Sequence, residues 1–456
     1  MELLSDQCHA LGQYLSRFND VCGDQRTRFT FDQTVQGILG SQSLRCAQVA
    51  RSAAGLAATD SSEQRIRDMV EGHFTKRSSD LNEAHIVERL TRRAVEMLSA
   101  DAEVWVGFDM SDLRKPYATK MPDLMQVFDL KKQNLIPGYR VITALGLGHT
   151  ARGTLYHHLF SSTADDFASE TQEASTAIDV VSHALSPLPT VVTFLMDSGF
   201  DNNALWHRIW QNGNHLVCRL RGVNRIVYRP TPRGRWERTV ILNLAPHLRP
   251  LASLQAELEV RLVGQKRQYR QQVTAQVSAV KVQLRYEVAV DKKRRRFCTD
   301  AWVVHVQIKG STHDPWWLIT DWPVETAEDA ARIFRMYCSR WAAEDGYKFI
   351  KGCFGWEEVQ LMDLDGIRLL VALAWVAAAF LYELGVTWDW VEVQLLARLG
   401  GYVPHKGRKP GKIALARGLQ RLYESIATFA LLKDYKAQHG DLPARIAALI
   451  QGGLRL

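Results

Sequence analysis

Two stretches, "EVWVGFD" (Glu103 to Asp109) and "TVVTFLMD" (Thr190 to Asp197), limit what this chain can fold into more than any other feature. Each is a short apolar run rich in β-branched and aromatic residues, and each ends on a carboxylate. Runs of that kind read as buried strands. A carboxylate at the end of a buried strand is costly to leave unpaired. It must be salt-bridged, cap the next turn, or ligate a metal. Aspartate is a common turn residue, and "DSGF" (Asp197 to Phe200) also reads as an N-cap.

The surrounding pattern places both runs in an α/β sheet. "GYRVITALGLG" and "GTLYHHLF" are two more expected strands joined by glycine turns. A helix is expected over 161–185, another over about 202–212, and a strand at "HLVCRL". The order strand, strand, strand, helix, strand, helix, strand predicts an α/β sheet whose first three strands form a meander. From 222 to 320 the texture turns to β without helices, with strands at "RIVYRP", "RWERTVIL", "KVQLRYEVAV" and "AWVVHVQI". That block reads as an inserted β-domain. The expected divisions are a helical region (1–100), the first part of the α/β core (101–221), the insertion (222–320), the second part of the core (321–360) and a helical C-terminal region (361–456).

The bulk numbers narrow the class. A chain of 456 residues has room for two or three domains and a full core. At 46% hydrophobic and 23% charged it is an ordinary globular composition. The net charge of +8 and pI near 9.1 favour a polyanionic partner. Seven cysteines at scattered positions, with no C-x-x-C pair, predict reduced thiols rather than a zinc ribbon or disulfide framework. "MELLSDQCHA" lacks the pattern of a signal peptide, so a cytoplasmic location is expected. The longest apolar run, "LLVALAWVAAAFL" (369–381), is shorter than the ~20 residues a membrane span needs and reads as a buried helix. No P-loop, H-E-x-x-H or G-x-S-x-G motif is present.

"YCSRWAAEDGYKFIK" (Tyr337 to Lys351) supplies the third carboxylate. On one helix, expected over about 327–351, Tyr337, Arg340, Glu344 and Lys351 fall within roughly 60° of each other. Such a face is either solvated or the wall of a site that holds a metal and a phosphate. Asp109, Asp197 and Glu344 together offer hard oxygen ligands, which suit Mg²⁺ or Mn²⁺ and not zinc. Two such ions about 3.5–4 Å apart support in-line phosphoryl transfer. Arg340 and Lys351 would grip phosphates.

The spacing Y-x2-R-x3-E-x6-K at Tyr337, Arg340, Glu344 and Lys351 resembles the signature of bacterial DDE transposases of the insertion-sequence-four type. "FDMSDLRKPYA" (Phe108 to Ala118) resembles that family's first-aspartate segment, and "DSGF" its D-x-G-F second-aspartate motif. The resemblance covers roughly residues 100–360. It implies an RNase H-like core interrupted by a β-insertion, and a catalytic and metal-binding triad of Asp109, Asp197 and Glu344 holding two Mg²⁺ or Mn²⁺ ions. The implied activity is cut-and-paste DNA transposition: cleavage at terminal inverted repeats, then strand transfer to target DNA.

The same resemblance implies DNA contacts at Tyr337, Arg340 and Lys351. In some relatives a tryptophan of the insertion stacks on a flipped base. Trp316 of "DPWWLITDWPVE" is the best positional match, with Trp317 behind it. A Trp-Trp pair at the start of an apolar strand also reads as core. "KKRRR" (Lys292, Lys293, Arg294, Arg295, Arg296) at an expected hairpin tip reads as a DNA-backbone contact or a solvated turn. Lys348, on the Glu344 face, is a further phosphate candidate. The 1–100 region is the candidate for end recognition, and the C-terminal helices for a homodimer on paired DNA ends. Two rivals stand beside this: a domesticated or inactive relative that only binds DNA, and an RNase H-type nuclease that cuts without joining.

Overall fold

The computed structural model describes residues 10–53, 59–72, 81–129, 132–149, 151–290, 293–403, 410–444 and 446–447. The protein is mixed α/β. It divides into two compact units, each assembled from separate stretches of chain. One comprises 1–90, 113–139 and 347–456; the other comprises 91–112 and 140–346.

The strands are β1 (Glu103–Arg114), β2 (Met125–Asp129), β3 (Asn134–Leu147), β4 (Arg152–Phe160), β5 (Val191–Met196), β6 (His215–Arg219), β7 (Ile226–Pro230), β8 (Trp236–Val240), β9 (Arg249–Val260), β10 (Tyr269–Val290), β11 (Lys293–Ile308) and β12 (Trp316–Thr320). Within the 91–112/140–346 unit the sheet order is β4–β3–β1–β5–β6–β12–β11–β10. β7 and β9 both pair with β10, and β8 extends β7. β1, β5 and β6 run parallel, and β12, β11 and β10 follow antiparallel.

Both runs that end on aspartate are therefore central parallel strands. Most of their buried positions, among them Val104, Val106, Phe108, Phe194, Leu195 and Met196, are apolar, as a strand covered on both faces requires; Thr193 and Asp109 are the buried polar exceptions. The β-rich stretch leaves the sheet after β6 and re-enters it at β12, which pairs with β6 through Arg219↔Leu318 to Val217↔Thr320. One core follows from this: Leu195, Val217, Val304 and Leu318 of the sheet pack with Phe334, Met336 and Tyr337 of the helix Ala327–Ser339. That helix begins with a capping box, Thr326 and Asp329 bonding reciprocally.

The helix expected over about 327–351 is interrupted. It forms as Ala327–Ser339 and Trp341–Cys353, with Arg340 between them. Arg340 keeps helical angles (φ −52°, ψ −34°), and its N–H bonds to Tyr337 O, three residues back. The interruption is thus a local tightening of the hydrogen-bond ladder rather than a bend at glycine or proline. The helix expected from 161 begins later, at Glu170, where Ser169 caps it.

In the other unit, helices Gln25–Ser41, Cys46–Ala53, Thr59–Val70, Leu364–Thr387, Trp390–Leu399 and Lys412–His439 make a helical body. β2 pairs there with the first part of β3. Leu364–Thr387 is 24 residues, longer than the apolar run alone indicated. Among the described residues it is the one helix long and apolar enough to cross a membrane, and 83% of its most apolar window is buried inside the protein. Tyr14 Oη donates to its Val376 carbonyl, so one turn of this helix is tied to the chain's own N-terminal part.

Candidate active site

The register of the sheet aligns the two aspartates. Phe108 pairs with Met196, and Met196 with Cys218. Asp109 and Asp197 each lie one residue beyond that row, where the parallel pairing of β1 with β5 ends: Asp109 midway along β1, which continues to Arg114, and Asp197 just past the end of β5. This is the edge at which open α/β sheets present their sites. The two aspartates line one opening of about 310 Å³, together with Ser111, Arg140, Asn202 and Arg221.

Asp197 caps the short turn Ser198–Phe200, its Oδ1 accepting from Gly199 N at 2.8 Å. The N-cap reading thus holds for this residue. Arg221 braces this turn from outside, Nε and Nη2 donating to the Ser198 and Gly199 carbonyls, both at 3.3 Å. Behind the turn, Arg225 pairs with Asp201 at 3.0 Å and lies over the Trp206 ring at 4.0 Å.

Glu344 does not line that opening; it approaches from the helix Trp341–Cys353. Its carboxylate accepts from Arg340 Nη2 at 2.6 Å. Arg340 is 5% exposed, and its Nη1 stands 4.0 Å from Asp109 Oδ1. The Arg340 Nε and Nη1 atoms are buried and have no hydrogen-bond acceptor among the described residues. Gly107 sets this approach: a Cβ there would meet Ala343 Cβ at 3.5 Å and Arg340 O at 3.6 Å, so the helix passes close over the backbone of β1.

The electrostatics tie the three carboxylates together. Burial pushes Asp109 up to about 7; Arg340 opposes this, while the charges of Asp197 and Glu344 add to it. Burial works against the Arg340 charge, and the carboxylates of Asp109 and Glu344 more than offset it. A carboxylate so reluctant to ionise marks a place where added positive charge is favourable.

The donor chemistry, three carboxylates, fits a hard divalent cation. The spacing is another matter: among the described residues no group of three or more His, Cys, Asp or Glu side chains stands at cation-holding distance. Arg340, bonded to Glu344, occupies the position of positive charge instead.

The remaining candidates fall in different places. Tyr337 is 2% exposed, its ring 5.3 Å from Trp316 and beneath Arg340 at 5.7 Å. Trp316, 7% exposed, packs edge-on to Trp341 and also lines a second opening of about 230 Å³ with Arg219, Gln268 and His313. Trp316 is thus a core residue whose edge reaches that opening. The Trp317 ring lies tilted against His305, their centres 4.5 Å apart.

Lys293, Arg294, Arg295 and Arg296 begin β11 at the end of the β10–β11 hairpin, exposed, with Arg296 paired to Glu287. Lys292 lies outside the described residues. Lys348 and Lys351 belong to the other compact unit, where Lys351 Nζ lies 5.1 Å from the Trp356 ring centre.

Sequence reasoning missed Arg140 and Arg221. Arg140 pairs with Asp112 at 3.3 Å and also bonds Glu170. Neither arginine sits in a motif; only their location, in β3 beside β1 and just past the end of β6, brings them to the opening.

No protein-family model matches this chain, and no curated protein matches it.

Proposed function

We propose that the chain is a metal-dependent DDE transposase of the insertion-sequence-four type, built on an RNase H-like core. The observation that carries this is the joint placement of Asp109 and Asp197 one residue past a shared strand row, with Glu344 electrostatically coupled to Asp109. The strand order β4–β3–β1–β5–β6, three strands early in the chain followed by two parallel ones, supports the RNase H-like assignment. Mg²⁺ or Mn²⁺, held by these three carboxylates, would supply an activated water or 3′-hydroxyl and stabilise the leaving oxygen.

The chain's own groups have defined tasks in this scheme. Arg340, with two buried N–H directions lacking an acceptor among the described residues, is suited to a phosphate oxygen of the bound strand. For Glu344 to join a cation site, its hydrogen bond to Arg340 must be given up, and the phosphate is the natural replacement partner. Arg221 holds the Asp197 turn in shape. Trp316 and its opening are the place for an unstacked base. The helical regions would recognise the terminal repeats and pair two copies.

A second reading, a relative that binds DNA without cutting it, is favoured by one observation. Arg340 already neutralises Glu344, and no described trio of carboxylates stands at cation-holding spacing. One assay separates the two: cleavage of a labelled duplex carrying the terminal repeat that flanks the gene, with Mg²⁺, for the wild type and Glu344→Ala. Nicking at the repeat boundary that disappears in the variant supports the transposase. Tight binding without cleavage by either protein supports the DNA-binding relative.

A further inference from the structure

The row of paired residues that aligns the aspartates continues across the sheet: Phe108↔Met196↔Cys218↔Ile319↔Val303↔Val280. Asp109 and Asp197 lie just past this row. On β10, antiparallel to β11, moving past the row means moving from Val280 toward Tyr269. The turn that joins β9 to β10 therefore lies on the carboxylate side, about 35 Å along the ribbon at ~3.3 Å per residue. The tip at Lys293–Arg296 lies on the opposite side of the row, about as far away. Of the two basic ends of this long ribbon, the one the sequence singled out faces away from the carboxylate edge.

The other end is basic as well. "RLVGQKRQYR" (Arg261 to Arg270) carries four cations and no acidic residue. Arg261 is held by Thr312 Oγ1 at 3.0 Å, and Arg270 is shared with Glu257 at 3.3 Å. Lys266 and Arg267 are exposed at the bend, beside exposed Tyr269. An independent feature points the same way. Gln268 of this turn and Glu259 at the end of β9 border the 230 Å³ opening floored by Trp316 and Trp341. The surface is thus continuous from the aromatic opening to the cationic bend.

We propose that the Arg261–Arg270 turn is a docking surface for the phosphate backbone of double-stranded DNA, holding the duplex on the carboxylate side of the sheet. This rests on the DNA-acting reading above and adds which end of the ribbon meets the duplex. Phosphate contacts of this kind fix the position of a duplex without reading its sequence.

The test is anisotropy titration of a fluorescein-labelled duplex of about 40 bp, in chelator, across about 50–200 mM salt. It compares wild type, the Lys266→Gln/Arg267→Gln double variant, and an Arg294→Gln/Arg295→Gln double variant. The first variant is expected to bind about tenfold or more weakly at the low-salt end, with the log–log salt slope shallower by about 2. The tip variant is expected to keep the wild-type slope. All four side chains are exposed, so unchanged melting temperatures are expected throughout.

An unchanged slope in Lys266→Gln/Arg267→Gln, with wild-type binding intact, overturns this inference alone. Equal loss in both variants indicates diffuse attraction and also overturns it. Preference for a single-stranded RNA of the same length overturns the choice of partner. A wild type that binds no duplex at low salt overturns the inference together with the reading it rests on.

Discussion

Arg340 and Glu344 are joined by a 2.6 Å hydrogen bond in which the guanidinium is almost wholly buried and the carboxylate is not. The same guanidinium reaches toward Asp109 at 4.0 Å. The protein thus carries its own positive charge among its three candidate ligands. Several outcomes follow from that arrangement and from the close passage of the helix over β1.

Removing Arg340 takes away the guanidinium that offsets the charges of Asp197 and Glu344 at Asp109. Arg340→Met is expected to lower stability by about 3 kcal/mol at pH 8, the usual cost of breaking a buried pair. The loss should shrink toward pH 5, where Asp109 takes up a proton. Urea unfolding at the two pH values checks this, and an equal loss at both would count against it.

Asp109 gives a predicted pH dependence of its own. Its folded value of about 7 exceeds the ordinary 3.8, so between those values the folded protein holds more protons than the unfolded chain. Stability in chelator should therefore fall as pH rises from about 4 to about 7, by up to about 4 kcal/mol from this group. Asp109→Asn should flatten that dependence and be the more stable protein at pH 8. Thermal melting across the range reads it directly.

A divalent cation should reverse the same penalty. At pH 8, Mg²⁺ or Mn²⁺ at about a hundred times its dissociation constant is expected to stabilise the wild type by about 2.7 kcal/mol. Asp109→Asn and Asp197→Asn should each lose most of this. Calorimetric melting with and without cation is the measurement, and an equal shift in all three proteins would remove these aspartates from the cation site.

Gly107 separates a tolerated change from a disruptive one. A single Cβ at this position meets only ordinary contacts, so Gly107→Ala should cost little. Gly107→Leu must displace the Arg340–Ala343 backbone and is expected to cost about 1–3 kcal/mol. It should also lower the cation response, because Glu344 moves with that helix; Gly107→Ala should leave the response intact.

What could be read from the sequence follows from where side chains alone dictate structure. The runs ending at Asp109 and Asp197 were legible because strands buried on both faces must be apolar along their whole length. β9 and the first half of β10 were not. Their "RPLASLQAELEV" and "YRQQVTAQVSAV" alternate weakly and carry glutamine, alanine and serine, since one face of that ribbon meets water. The interruption at Arg340 left no mark because its backbone angles remain helical. The Arg340–Glu344 bond was half legible: the spacing of four put the two on one face, but which carboxylate the arginine would choose depends on burial. Arg140 and Arg221 reach the opening through long-range pairing, which no local pattern records.

The junction of β6 and β12 has one more consequence. Leu220 N donates to Trp317 O at 2.8 Å, so the chain returns to the sheet beside the point where it left. A tight turn would suffice to connect the two strands, and residues 222–315 are in topology one very long hairpin loop. Yet Leu258, Val273, Val277 and Val304 from that loop cover the helix that leads to Arg340. Its root is therefore as fixed as any part of the core, while the hairpin tip at Lys293–Arg296 is free to lengthen, shorten or exchange its side chains. Between relatives of this chain, variation should gather at that tip and stop where the ribbon meets the helix.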